Sequence, residues 1–285
     1  MRIASLHGRA HLVLADGFLD IAEASEGRFS SSTRDLCAVL PALREWAATL
    51  PVALANETDL AVLESDERLA AVIAEPRQVI AVGLNYREHA HEMGLANPTT
   101  PMIFTKFAST IAGQHATIPV VSEKTDWEAE LVVVIGTGGR NIAEADALHA
   151  VAGYCVGQDI SDRELQMSGS PAQFSLGKSW RNFGPIGPWL TTLDEVSNPL
   201  DLAIRCSVNG ETMQDSRTSD MVFNIAEVVS YVSRVLELFP GDIIFTGSPH
   251  GVGQGQVPPR FLAPGDVLET TIEGLGTLHN VMVAH

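Results

Sequence analysis

Two glutamates stand in a run that otherwise reads as a buried strand: Asp126-Trp127-Glu128-Ala129-Glu130-Leu131-Val132-Val133-Val134-Ile135-Gly136. Strand side chains alternate faces with period two, so Glu128 and Glu130 point the same way. Two carboxylates on one face repel each other, and burying either without a partner is costly. A chain can keep such a pair in its interior only beside a cation or a proton. A hard divalent ion, Mg²⁺ or else Mn²⁺ or Ca²⁺, suits an all-oxygen ligand set. A solvated edge strand with two surface acids is the plainer alternative. The Leu131–Ile135 run argues against it, because the strand continues as one buried on both faces.

A third acid extends the pattern. Gly153-Tyr154-Cys155-Val156-Gly157-Gln158-Asp159-Ile160-Ser161 reads as another buried strand, ending on Asp159. The Asp162-Arg163-Glu164-Leu165-Gln166 stretch that follows is helix-like, with Ser161 or Asp162 as its cap. Alone, Asp159 would be read as a capping acid. With Glu128 and Glu130 it makes a Glu-x-Glu…Asp set, enough for an octahedral ion that keeps open positions for water or substrate oxygens.

Other segments fall in a telling order. They are Asn85-Tyr86-Arg87-Glu88-His89-Ala90-His91-Glu92, Pro101-Met102-Ile103-Phe104-Thr105-Lys106, Asp159 with Arg163 and Gln166, Gly177-Lys178-Ser179, and Phe245-Thr246-Gly247-Ser248-Pro249-His250-Gly251-Val252-Gly253. Together with the Glu-x-Glu pair, from about Val79 to Val283, they resemble the fumarylacetoacetate hydrolase superfamily. The resemblance implies an α+β fold: a mixed β-roll catalytic domain with a small N-terminal α/β unit, usually in a homodimer with one divalent ion per subunit. It implies Glu128, Glu130 and Asp159 as metal ligands, and His89 with Glu92 as a water-activating dyad on a lid. It also implies Lys178 as a catalytic cation, with Arg163 and Gln166 around the substrate. Members commonly carry Gly-Thr-Pro where this chain has Gly247-Ser248-Pro249, so the hydroxyl is retained.

The dyad has a physical reading of its own. His89 and Glu92 are three apart and share a helical face. A carboxylate beside a histidine orients the ring and raises its basicity, as a general base for water requires. The same spacing also describes an ordinary surface pair. His91 falls on another face and reads as surface. Gly247, Ser248 and His250 lie in a glycine-rich turn with neither a Walker pattern nor a Gly-x-Gly-x-x-Gly opening a helix, so a turn approaching a ligand is expected rather than a phosphate loop.

With 285 residues, 45% of them hydrophobic, the chain can bury a large core. Its net charge of −17 argues against nucleic acid and anionic membranes as partners. No apolar run is long enough to span a bilayer, and Met1–Ser5 lacks the apolar core of a signal peptide. Cys37, Cys155 and Cys206 make no C-x-x-C pair and fit a reducing cytoplasm.

Residues 1–72 read as a separate small unit and 73–285 as the catalytic domain. The first unit should carry strands at Arg2–Leu6, Ala10–Leu14 and Phe18–Ile21. A helix after Ser32/Thr33 would bury Leu36, Leu40 and Leu43 despite Pro41. In the second, Asn209-Gly210 predicts a type I′ hairpin, Gly274-Leu275-Gly276 a second hairpin, and Met221–Leu238 the longest helix, stopped by Pro240-Gly241-Asp242.

The expected substrate is a small 2-oxo acid, chelated through its carboxylate and keto oxygens. The expected reaction is hydrolysis of a C–C bond in an acylpyruvate-like or fumarylacetoacetate-like β-diketo acid. Decarboxylation of an oxaloacetate-type acid and isomerisation of a 2-hydroxy-diene acid would use the same enolate chemistry. A metal-stabilised binding protein is the non-enzymatic rival.

Overall fold

The computed structural model describes residues 1–53 and 55–285. Two mixed sheets form its frame. The larger runs, edge to edge, through Gly17–Asp20, Arg9–Leu14, Arg2–Leu6, Gly184–Thr192, Val151–Gln158, Ala129–Ile135, Ile243–Phe245, Val79–Gly83 and Met102–Thr105, with Ile111–Ala112 beside Gly184–Thr192. The smaller runs through Glu211–Arg217, Ala203–Val208, Val267–Ile272, Gly276–Ala284 and Thr117–Val120. Most neighbours are antiparallel, but Ile243–Phe245 lies parallel to Val79–Gly83, and Gly276–Ala284 parallel to Thr117–Val120. With its short helices this is the α+β roll that the resemblance implies.

The central strands explain themselves. Ala129–Ile135 and Val151–Gln158 are buried along their whole lengths, as expected of apolar strands covered on both faces. Above them, one core cluster joins Leu131, Val133 and Tyr154 to Ile204, Leu268 and Leu278 of the smaller sheet. On the opposite face, Val132, Val134 and Phe245 pack against Ile3, Leu12, Leu36 and Leu43 of the N-terminal segment. That segment is also continuous with the larger sheet, since Arg2–Ala4 pair with Trp189–Thr191.

The hairpin at Asn209-Gly210 forms with both residues at positive φ, 53° and 78°, as a type I′ turn demands. Two helices differ from expectation. Pro41 divides the first into Thr33–Leu36 and Leu40–Ala47, joined by a 3₁₀ turn. Proline lacks the N–H for an intrahelical bond and its ring crowds the preceding turn, so it opens a helix instead of continuing one. The long helix covers only Ile225–Ser233. Asn224 and Glu227 close a reciprocal capping box at its start. Upstream, Met221 bridges to Tyr86. Downstream, Leu238 exchanges backbone bonds with Gly139, which draws the chain out of helix.

Candidate active site

The two central strands deliver the acids. Glu130 sits within Ala129–Ile135 opposite Gly157, while Glu128 immediately precedes that strand and its carbonyl accepts from Asp159 N at 2.9 Å. Asp159 follows the last residue of Val151–Gln158. One ligand oxygen from each of Glu128, Glu130 and Asp159 lies within 4.8 Å of the others, and all three side chains are buried. Asp162, next along, caps the short helix Arg163–Gln166.

Three cations surround this cluster. Lys178 Nζ reaches Glu128 Oε2 at 2.5 Å and Asp159 Oδ2 at 2.8 Å. Lys106 Nζ reaches Asp159 Oδ1 at 2.5 Å and also donates to the Lys178 carbonyl. Arg163 Nη2 lies 2.7 Å from Glu128 Oε1 and 2.8 Å from Asp126 Oδ2, but directs its N–H at neither within hydrogen-bond geometry. Its Nε donates to Asp126 and its Nη1 to Gln166 Oε1.

Glu130 is the exception. Among the described residues no cation pairs with it; its one hydrogen bond is from Gly247 N, at 2.7 Å. Burial, then the neighbouring Asp159 and Glu128 charges, pushes its carboxyl well above the usual range. Glu128 goes the other way: burial would raise it, but Lys178 and Arg163 hold it below the ordinary carboxylate range. Burial lowers Lys106, whereas Asp159 and Glu128 outweigh burial at Lys178 and raise it. The cluster is thus short of positive charge at Glu130, beside two other carboxylates. A divalent ion on Glu128, Glu130 and Asp159 fits that deficit and the all-oxygen donor set.

The glycine turn is built to reach Glu130. Gly247 has φ +99°, and a Cβ there would meet Asn85 Cβ at 2.7 Å. Only glycine fits such a site without strain. Asn85 in turn ties the turn to the lid base, donating to Thr246 O at 2.8 Å and Phe223 O at 3.0 Å. Asp126 fastens the far side by accepting from Gly253 N and Gln254 N at 2.7 and 3.0 Å.

The segment that the resemblance reads as a lid is the short helix Arg87–Glu92. His89 Nδ1 lies 2.9 Å from Glu92 Oε2, and Glu92 Oε1 accepts from Gly251 N at 2.9 Å. Glu92 therefore joins the lid to the glycine turn and occupies one imidazole nitrogen, leaving Nε2 as the nitrogen able to take a proton. A cavity of about 310 Å³ opens between lid and acids, lined by His89, Glu128, Arg163, Gln166, Lys178 and Ser248 among others. His250 is outside that wall, and His91 is exposed. Gly247 meets Glu130 and does not line the cavity.

Sequence reasoning gave no role to Lys106 or Asp126. Both are buried and hold other site residues: Lys106 holds Asp159, and Asp126 holds Arg163. The only signal was position, since Lys106 ends the Pro101–Lys106 segment and Asp126 opens the acidic strand.

Residues 78–283 match the family described as fumarylacetoacetate (FAA) hydrolase, C-terminal. The chain belongs to this family. It is 44% identical over 245 residues to oxaloacetate tautomerase FAHD2A, mitochondrial, of Bos taurus, spanning 85% of this chain and 78% of that protein. It is 42% identical over 247 residues to 2,4-didehydro-3-deoxy-L-rhamnonate hydrolase of Sphingomonas sp. (strain SKA58), spanning 86% of each. Maleylpyruvate hydrolase from Sphingobium sp. SYK-6, solved with manganese(II) and pyruvate, superposes with a TM-score of 0.79 at 28% identity, covering 100% of this chain and 99% of that one. These family members are named as hydrolases and a tautomerase, so the family makes this an enzyme fold without choosing the reaction. No helix among the described residues is long and apolar enough to cross a membrane.

Proposed function

We propose that the protein is a divalent-metal-dependent hydrolase that cleaves a 2,4-dioxo acid of the acylpyruvate type into pyruvate, or a related 2-oxo acid, and a carboxylic acid. One observation carries the reading: the His89–Glu92 pair is formed, at 2.9 Å, and His89 lines the same cavity as Glu128 and Lys178. Glu128, Glu130 and Asp159 would hold the ion, which when bound supplies Lewis acidity for the charge that develops on the 2-oxo group. Manganese in the Sphingobium hydrolase supports a divalent ion here, with Mg²⁺, Mn²⁺ and Ca²⁺ as the candidates.

Held by Glu92 at Nδ1, His89 takes a proton at Nε2 from a water that attacks the C4 carbonyl. The C3–C4 bond then breaks, its electron pair remains on C3, and the acyl carbon leaves as the new carboxylic acid. Lys178, charged in the resting site, delivers a proton to C3 and is recharged by the proton His89 accepted. Arg163 and Gln166 orient the substrate carboxylate, and the Ser248 hydroxyl offers a further hydrogen bond.

Keto–enol interconversion of oxaloacetate is a second reading, favoured by the bovine relative's name. It needs the ion and Lys178 but no activated water. Incubation with Mg²⁺ or Mn²⁺ and a panel of acylpyruvates, oxaloacetate and 2-hydroxymuconate-type acids separates the two. Pyruvate plus a carboxylic acid is expected. Tautomerised oxaloacetate with every acylpyruvate intact would replace the first reading by the second. A homodimer is the proposed assembly, to be tested by light scattering.

A further inference from the structure

The cavity beside the acids has two unlike ends. Its inner end carries Glu128, Arg163 and Lys178. Its outer wall is Met93, Leu95, Met102, Phe104, Met167 and Phe174. Phe104 marks the change: Lys178 Nζ lies 5.4 Å from its ring centre, and Phe174 packs on it edge-to-face with centroids 5.7 Å apart. Beyond that pair, no lysine or arginine among the described residues lines the cavity. Lys178 pairs with Glu128 and Asp159, and Arg163 with Glu128 and Asp126, so the positive charge that could face one substrate carboxylate is gathered at the inner end.

At the outer end, Leu95, Met102 and Met167 are 55%, 42% and 56% exposed. Large apolar side chains left in water around a cavity mouth mark a surface that a ligand covers. Methionine suits it, being flexible and able to fit different apolar shapes.

We infer that this outer end takes an uncharged hydrocarbon tail, so that the substrate is a 2-oxo acid with one carboxylate, at the inner end, and an alkyl or aryl acyl group. A diacid whose second carboxylate lies beyond C4, such as an ω-carboxylated acylpyruvate, would lose water at this wall with no cation to replace it. The inference rests on the proposed hydrolase reading for the acyl group, but its binding half stands without turnover.

Two arms keep the questions apart. In the first, kcat/KM is measured with Mg²⁺ for acetyl-, butanoyl-, hexanoyl- and benzoylpyruvate and for an ω-carboxylated acylpyruvate of matching length. Values should rise about fourfold per added methylene and fall at least about tenfold on adding the ω-carboxylate. In the second, thermal shift with Mg²⁺ compares 2-oxooctanoate with 2-oxosuberate, neither of which needs to be cleaved. The alkyl acid should bind more tightly, and Met167→Lys, on the exposed rim, should favour the diacid by about two- to fivefold. Tighter alkyl binding with no acylpyruvate cleaved would sink the hydrolase reading and leave the tail site standing. Tighter binding of the diacid by the unaltered protein, or rates independent of chain length, would overturn the tail site whatever the reaction.

Discussion

Replacing Gly255 by alanine should disable the lid dyad without touching either of its members. Gly255 has no positive φ, so alanine can take its backbone conformation without strain. Its side chain has no room, however. A Cβ there would lie 2.7 and 2.8 Å from the two Glu92 carboxylate oxygens, inside ordinary contact distance. The neighbour is the end of a flexible side chain, so the carboxylate should swing away while the fold holds. Both its bonds, to His89 Nδ1 and from Gly251 N, are 2.9 Å long and should stretch past hydrogen-bonding range. A hydrogen bond to a charged group contributes roughly 1.5–3 kcal/mol. Losing the orienting bond on a general base should therefore lower kcat on the order of 10²-fold. The assay pairs kcat for the acylpyruvate the enzyme turns over with a melting curve. The same substitution in a Glu92→Ala background should cost little more, because the clash is gone. A folded Gly255→Ala enzyme within twofold of wild type would refute the reasoning. So would an equally large further loss in the Glu92→Ala background.

Other consequences follow from the charge arrangement. His89→Ala should lower kcat by two or more orders of magnitude while the melting temperature stays near that of the parent; hydrolysis at the parent rate would exclude the dyad. Lys106→Met leaves Asp159 with one cation fewer in a buried cluster, so in EDTA the protein should lose roughly 3–5 kcal/mol, with Mg²⁺ or Mn²⁺ restoring part of it by binding only the folded state. Equal melting of variant and parent in EDTA would count against that role for Lys106. Away from the site, burial raises the Glu64 carboxyl to about 7, against hydrogen bonds from Thr277. The folded state then holds a proton that the unfolded chain releases near its ordinary value of 4.5. Glu64 thus stabilises fully below pH 4.5, and that contribution disappears as pH rises to about 7. Glu64→Gln should match the parent at low pH and exceed it by about 1–2 kcal/mol at pH 8, after allowing for partial solvent screening. Denaturation curves at the two pH values check this, and an unchanged difference between them would contradict it.

What the sequence made legible was local. Period-two alternation put Glu128 and Glu130 on one side, and the strand that ended on Asp159 supplied the third acid. The Asn209-Gly210 turn and the N-terminal strands were equally direct, because propensity and turn chemistry act over a few residues. The long helix was overread for a physical reason: apolar spacing continues to Val235, yet that residue is 73% exposed and the chain has already left the helix. Backbone pairing of Leu238 with Gly139, nearly a hundred residues away in the chain, decides that end and leaves no mark in the local pattern. Lys106 and Asp159 meet across 53 positions. The apolar wall from Met93 to Phe174 is likewise assembled from separate segments, none periodic enough to announce a pocket.

The most direct test of the central claim is hydrolysis of an acylpyruvate in ¹⁸O-labelled water, with mass spectrometry of the released acid at early times against an enzyme-free exchange control. Cleavage by water activated at His89 predicts one solvent oxygen entering the new carboxylate in the chemical step. Turnover confined to keto–enol interconversion, with the C3–C4 bond intact and no labelled acid formed, would contradict it.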